Sequence, residues 1–332
     1  MSGRETAAIL QLFRNAPEPF ALATLVEVQG SSYRRAGARI LLASDGNSVG
    51  SISGGCLEED VRQRARSVLA TGVAEAFTYN TLDENDLIWG VGLGCHGMVR
   101  VFIERLIKMP DWAASLESNL NSFQPTFLRV SWDHADPQER GTHLADSMAP
   151  SLLPGVFSQV IEPPITLVIC GGGDDAIPLA QLAARMGWAV VVADPRPTYA
   201  TTRRFPEARK CLVAPPDQIA REIPVGDRTA VVIMTHHYHF DVPLLHGLVT
   251  KPLGYLGLLG PMKRAERILA EIEADGVAVT PEMRARLRAP VGLDLGSEAP
   301  EGIALSIVAE IHAVLSGRDG RPLKERALPI HA

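Results

Sequence analysis

Aromatic side chains are scarce, at 5% of 332 residues, and the formal net charge is −6. A general nucleic-acid binder would show a basic face or tail and aromatic platforms for bases, so no nucleic-acid partner is expected. Long hydrophobic runs are missing as well. None approaches the ~20 residues that cross a bilayer as a helix, so no membrane partner is expected either. The first residues carry Arg4 and Glu5 ahead of an amphipathic stretch and lack the apolar core of a signal peptide. A cytoplasmic location is the corresponding expectation. Cysteine is sparse: Cys56, Cys95, Cys170 and Cys211 include no CxxC pair, which removes support for a zinc knuckle or a redox dithiol. Isolated thiols in a chain this long suit a reducing compartment. Internal repeats and low-complexity segments are absent too.

What remains is an ordinary globular composition, 46% hydrophobic and 21% charged, with length for two domains. The reading divides the chain into an N-terminal α/β domain with a linker region, residues 1–155, and a Rossmann-type parallel-sheet domain, residues 156–332. In the first, a helix is predicted over residues 7–14 and strands over 20–28, 40–43 and 48–52. A helix over 57–71 ends at Gly72, and further strands fall at 77–80, 99–103 and 126–132. Residues 133–155 are polar and carry Pro137, Pro150 and Pro154, which reads as irregular surface and linker. Pro163-Pro164 precedes the second run of elements. Strands are predicted there at 165–170, 189–193, 210–213, 229–234 and 254–258. Helices fall at 175–186 and 303–315, and this alternation demands right-handed crossovers and a parallel sheet.

The strongest local pattern is Gly171-Gly172-Gly173-Asp174-Asp175-Ala176, a G-x-G-x-x-A turn at a predicted strand-to-helix junction. Gly171 and Gly173 allow a tight turn and close approach of a phosphate, and the helix N-terminus adds partial positive charge. Asp194 follows at the end of the next predicted strand, where an acidic side chain can bind ribose hydroxyls. Against this stand two carboxylates, Asp174 and Asp175, at the expected phosphate; one can cap the helix and the other has no assigned use. A tight turn without a ligand is the plain alternative. In the first domain, Ser53, Gly54 and Gly55 lead into Cys56 at a helix start, where backbone N–H groups form an anion site and the dipole favours a thiolate. Cys95 lies in a second glycine-rich loop, and Arg34 and Arg35 on a third. Together they suggest a cleft for a soft, anionic ligand, although a cysteine is more often a small inert hydrophobe. His236, with His237, His239 and Asp241, follows a predicted strand at the edge where ligands bind. An acid–base or ligand-contacting His236 is preferred over a metal site, and Lys263 and Arg264 could add positive charge at the same edge.

Taken in order, these segments resemble the xanthine dehydrogenase accessory protein family, the XdhC/CoxI family. The resemblance runs through Gly30-Ser31-Ser32 with Arg34, Gly50-Ser51-Ile52-Ser53-Gly54-Gly55-Cys56-Leu57-Glu58, and Gly92-Leu93-Gly94-Cys95. It continues through the Gly171 turn, Asp194-Pro195-Arg196, Arg204-Phe205-Pro206, Thr235-His236, and Pro290-Val291-Gly292-Leu293-Asp294-Leu295-Gly296. Each piece alone is unspecific; their order is not. The resemblance implies a protein that binds molybdenum cofactor, as molybdopterin or its dinucleotide form, and favours the sulfurated state. It implies a chaperone that helps insert the cofactor into xanthine dehydrogenase or a related molybdenum hydroxylase. The partners would be that apo-enzyme and, as a second candidate, a cysteine desulfurase; a homodimer is left open. On this reading no residue is catalytic. Arg34, Arg35, Ser53, Gly54, Gly55, Cys56, Cys95, Gly171, Gly173, Asp194 and His236 form the binding set, and Cys56 and Cys95 are the candidate molybdenum contacts. A nucleotide in the Rossmann domain is a further expectation. The competing readings are an NAD(P)-dependent oxidoreductase, which lacks a hydride-transfer constellation, and an interaction scaffold with no small ligand. Departures from the family pattern are Ala299 and Gly302 at the start of the last helix, and His96 beside Cys95.

Overall fold

A computed structural model describes residues 3–30, 32–80, 97–147 and 153–327. The chain divides into two units, Met1–Pro163 and Pro164–Ala332. Residues 156–163 thus belong to the first unit rather than to the second, as the 155/156 division has it.

The first unit begins with α1 (Gly3–Asn15), β1 (Phe20–Gly30), β2 (Arg39–Ala43), β3 (Ser48–Gly50) and α2 (Glu58–Thr71). It continues with β4 (Glu75–Asn80), β5 (Gly97–Leu106), α3 (Asp111–Asn121), β6 (Thr126–Ser131), β7 (Gly141–Ala145) and β8 (Val156–Ile161). Among the described residues, β3-β2-β1-β5-β4 form one sheet and β7-β6-β8 another, and every pairing is antiparallel. Alternation along β1 decides what covers each face. Ala21, Ala23 and Leu25 pack with Val61, Ala65 and Val68 of α2. Phe20 and Leu22 pack with Ile9, Leu10 and Phe13 of α1, Trp112 and Leu116 of α3, and Leu128 and Ile161 of the smaller sheet. Truncating fully buried Phe20 to Ala would cost ~3–5 kcal/mol. Gly72 closes α2 as read from the sequence, at φ 76° with its N–H on the Val68 carbonyl.

The stretch read as irregular surface and linker needs correction, because β7 lies within it and β8 follows immediately. Both pair with β6, and Pro137 and Pro154 fall outside the strands. The alternation Val156-Phe157-Ser158-Gln159-Val160-Ile161 carried a strand signal that the neighbouring prolines obscured.

The second unit contains β9 (Thr166–Cys170), α4 (Ala176–Arg185), β10 (Ala189–Ala193), β11 (Lys210–Leu212), α5 (Pro216–Glu222), β12 (Gly226–Ile233) and α6 (Tyr238–Leu248). β13 (Leu253–Leu258), α7 (Met262–Ala274), α8 (Pro281–Arg286), β14 (Leu287–Arg288) and α9 (Pro300–Leu315) complete it. The parallel sheet has the order β11-β10-β9-β12-β13-β14. This is a Rossmann sheet, and its order reverses between β9 and β12. Both faces are buried. Leu167 and Ile169 meet Leu179 and Ala183 of α4 and Ile307 and Ile311 of α9. Val168 and Cys170 face the cluster holding Ile219 of α5, Leu244 and Leu248 of α6 and Ile268 of α7. That is why its central strands read as continuous apolar runs. Gly302, which costs helix propensity, leaves room for Ser297: a methyl group there would lie 2.8 Å from the Ser297 Cβ.

Candidate functional site

In the first unit, Cys56 is exposed and stands directly before α2 and its N-cap Leu57. The loop that presents it is held by Glu58, whose carboxylate accepts from Ser53 N at 2.8 Å, Ser51 Oγ at 2.9 Å and the Ser53 hydroxyl. Ser53 Oγ in turn accepts from the N–H of Gly55 and Leu57. Burial pushes the Glu58 carboxyl up, but these hydrogen bonds outweigh it and hold the group below the usual glutamate range. Ser53 is therefore a structural member of the loop. Gly55 is exposed, and nothing lies within 4 Å of a methyl group built there.

The basic loop meets this one through Tyr33, whose ring lies 3.5 Å from the position of a Gly54 methyl group. Tyr33 is itself 67% exposed. Arg34 and Arg35 differ in use. Arg34 pairs with Glu5 of α1 at 2.6 Å, whereas Arg35 points to solvent. Behind the loop, Arg39 is only 1% exposed and donates to the Gln159 amide oxygen at 2.7 Å and to the Gly37 carbonyl at 3.3 Å. Burial brings its pKa down to about 10, and the Glu104 charge opposes that shift. Cys95 lies outside the described residues.

In the second unit, the Gly171 turn stands at the switch point of the sheet. Gly171 has φ 122°, and a methyl group there would lie 2.4 Å from the Met234 carbonyl oxygen. A methyl group on Gly172 would lie 2.8 Å from the Tyr199 carbonyl oxygen. These two glycines let the chain's own backbone approach. A Gly173 methyl would instead lie 2.6 Å from Asp175 Oδ1. Both carboxylates of the turn have a cationic or imidazole partner from another segment. Asp174 pairs with Arg204 at 2.8 Å, and Asp175 with His236 Nε2 at 2.7 Å. Asp175 occupies the N-cap position of α4 without a side-chain cap, so the expected capping role goes unfilled.

Asp194 stands at the end of β10 but is 0% exposed. One of its oxygens accepts from Arg196 N and Nε at 2.8 and 2.9 Å; the other accepts from Gly172 N and Arg196 Nη2, both at 2.8 Å. A carboxylate has about four lone-pair sites, and all are taken. The ribose role expected of Asp194 is therefore not available to its side chain. Burial raises its carboxyl, but the Arg196 and Gly172 hydrogen bonds prevail and leave it below the usual range.

His236 has φ 61°, a left-handed conformation rare for a side chain other than glycine. Its loop is fastened by Asp241, which accepts from Thr235 Oγ1 at 2.5 Å and from Arg264 Nε at 3.0 Å. Arg264 thus spends Nε and Nη2 on the buried Asp241. His236, 60% exposed, turns its other ring nitrogen away from Asp175. Among the described residues no group of three or more His, Cys, Asp or Glu could hold a metal ion. No described helix is long and apolar enough to cross a membrane.

Residues 13–80 match the XdhC and CoxI family, and residues 167–311 match the XdhC Rossmann domain. The chain is 35% identical to a probable xanthine dehydrogenase subunit of Bacillus subtilis, across 89% of its own length and 92% of that protein. It belongs to the XdhC and CoxI family. It is also 25% identical to the molybdenum cofactor insertion chaperone PaoD of Escherichia coli, over 88% of this chain and 82% of PaoD. The crystal structure of a xanthine dehydrogenase from Bacillus halodurans superimposes with a TM-score of 0.80, at 29% identity and 98% coverage of both chains.

Two features of this XdhC and CoxI family member were not assigned a role from sequence. Glu58 organises the Cys56 loop. Arg196, two residues after Asp194, satisfies that carboxylate and lies 3.5 Å from the Tyr199 ring centroid. The signal for Arg196 was its spacing: an arginine so soon after the acidic strand end can turn back onto it.

Proposed function

We propose that this protein carries molybdenum cofactor and hands it to an apo molybdenum hydroxylase of the xanthine dehydrogenase kind. The observation that carries this reading is the presentation of Cys56. Its thiol is exposed, the Glu58 hydrogen bonds hold its loop, and space is open above Gly55. Molybdenum and its sulfur ligands are soft, and a thiolate is a soft ligand that can be displaced again on hand-over. Cys95 supplies the second thiol in this reading, and Arg35 a cation for an anionic part of the cargo. Arg34, shared with Glu5, supports its loop. Family membership and the relatedness to PaoD point the same way.

The cargo is the sulfurated cofactor, as molybdopterin or its dinucleotide, and a cysteine desulfurase is the second partner. The exchange takes place in the cytoplasm. In the second unit, the Gly171 turn holds a phosphate or nucleotide through the N–H groups of Gly173, Asp174 and Asp175, for which the described residues supply no acceptor. An NAD(P)-dependent oxidoreductase is the weaker reading, because Asp194 has no lone pair left for a ribose.

The test is transfer. Loaded protein should activate an apo xanthine dehydrogenase-type enzyme, and Cys56→Ala should lower the rate by at least about tenfold. Equal activation by free cofactor and by loaded protein would end the chaperone reading.

A further inference from the structure

Asp194 marks the position at which a Rossmann unit ordinarily accepts hydrogen bonds from ribose hydroxyls. Here that carboxylate is buried and saturated by four N–H donors, three of them from Arg196. The group that meets solvent in its place is the Arg196 guanidinium, 26% exposed as a side chain. Nε and one Nη2 hydrogen are used on Asp194, which leaves both Nη1 hydrogens and one Nη2 hydrogen. An acceptor has been exchanged for donors.

A second guanidinium stands near the same aromatic ring as the first. Arg196 is 3.5 Å from the Tyr199 ring centroid and Arg204 is 5.7 Å from the same ring. A methyl group on Gly172 would meet the Tyr199 carbonyl, so the ring and both arginines adjoin the glycine turn. Arg204 spends Nη2 on the Gly172 carbonyl and Asp174, and its Nε is buried with no partner. A buried N–H without an acceptor is costly. Acidic groups at this place are already matched: Asp174, 91% exposed, by Arg204, and Asp175 by His236.

We propose that the end of β10 is a phosphate-monoester subsite, in which Arg196 and Arg204 receive a phosphate carried by the ligand instead of a bare ribose diol. A monoester dianion offers three acceptor oxygens, which suits two guanidiniums better than hydroxyls that also need acceptors. This rests on the reading that the Gly171 turn holds a phosphate or nucleotide, and it names the ligand class. The monoester can belong to a nucleotide phosphorylated on its ribose or to the terminal phosphate of molybdopterin.

Both sources can be tried on the full chain. Calorimetry would compare adenosine 2′,5′-bisphosphate with adenosine 5′-monophosphate. A parallel retention assay would compare released molybdopterin with the same preparation treated with phosphatase. Arg196→Gln deprives Asp194 of its partner and can unfold the unit, so Arg204→Gln, which leaves Asp194 intact, is measured alongside it. A preference of at least about tenfold for the 2′-phosphorylated nucleotide, lost in Arg204→Gln, supports the proposal and names a nucleotide. A similar loss on dephosphorylating molybdopterin, reproduced by Arg204→Gln, supports it and names the cofactor. If neither the monoester nor Arg204 matters in either arm, the subsite is overturned. Undiminished retention of molybdopterin in that case would leave the carrier reading standing.

Discussion

His236 Nε2 lies 2.7 Å from an oxygen of Asp175, joining the loop after β12 to the turn after β9 across the switch point of the sheet. The contact answers why an acidic residue stands at a turn expected to hold phosphate: its charge is directed to an imidazole. Holding His236 at φ 61° has a cost, typically ~1 kcal/mol or more for a side chain other than glycine. His236→Gly and His236→Ala both lose the hydrogen bond but differ in that strain. Urea denaturation should therefore find the Gly variant more stable than the Ala variant by ~1 kcal/mol. Equal midpoints would show that the backbone there is unstrained.

Gly171 and Gly173 should respond differently to alanine. At Gly171 the new methyl group meets the Met234 backbone at 2.4 Å with φ at 122°, and neither neighbour can yield. A loss of ~3 kcal/mol or more is expected. At Gly173 the methyl meets only the Asp175 carboxylate, which can swing aside at ~1 kcal/mol but then leaves His236. Thermal unfolding of the two variants orders them, and a Gly173→Ala protein less stable than Gly171→Ala would contradict the geometry.

Asp194 predicts a pH dependence. Its folded pKa lies below the unfolded value near ~3.9, so its contribution is complete above that value and is lost as pH falls through the folded pKa. Stability should fall below about pH 4. Asp194→Asn should be less stable at pH 7 by ~3 kcal/mol, because Arg196 and Gly172 lose a charged acceptor, and should show a shallower acid limb. Parallel pH–stability curves for the two proteins would refute this assignment.

Glu58→Gln tests the loop that presents Cys56. Glutamine keeps the size but offers one acceptor where the carboxylate serves Ser51 and Ser53 with two. The loop should loosen, and thiol reagents should modify Cys56 at a changed rate while global stability falls by only ~1–2 kcal/mol. An unchanged modification rate would mean that Glu58 does not position the thiol.

Much of the second unit was legible because each of its central strands is buried on both faces and most of its helices begin beside a glycine or proline. The Gly171 turn at a strand-to-helix junction and the place of Asp194 both followed from that pattern. The direction of the Asp194 carboxylate did not, since a lone acidic residue at a strand end reads the same whether it faces a ribose or its own Arg196. In the first unit, α3, β7 and β8 escaped because the prolines around them imitate a linker. The Arg34–Glu5 pair escaped for another reason: it joins residues far apart in sequence, with no periodicity to announce it.

The central claim is that Cys56 belongs to a cofactor-carrying site. The most direct measurement is anaerobic incubation of the purified protein with freshly released molybdenum cofactor, removal of the excess, and determination of bound molybdenum and pterin together. The account predicts near-stoichiometric retention of both, sharply reduced in folded Cys56→Ala. Retention unchanged in that variant would contradict the role given to the thiol, and no retention by the wild-type protein would contradict the carrier itself.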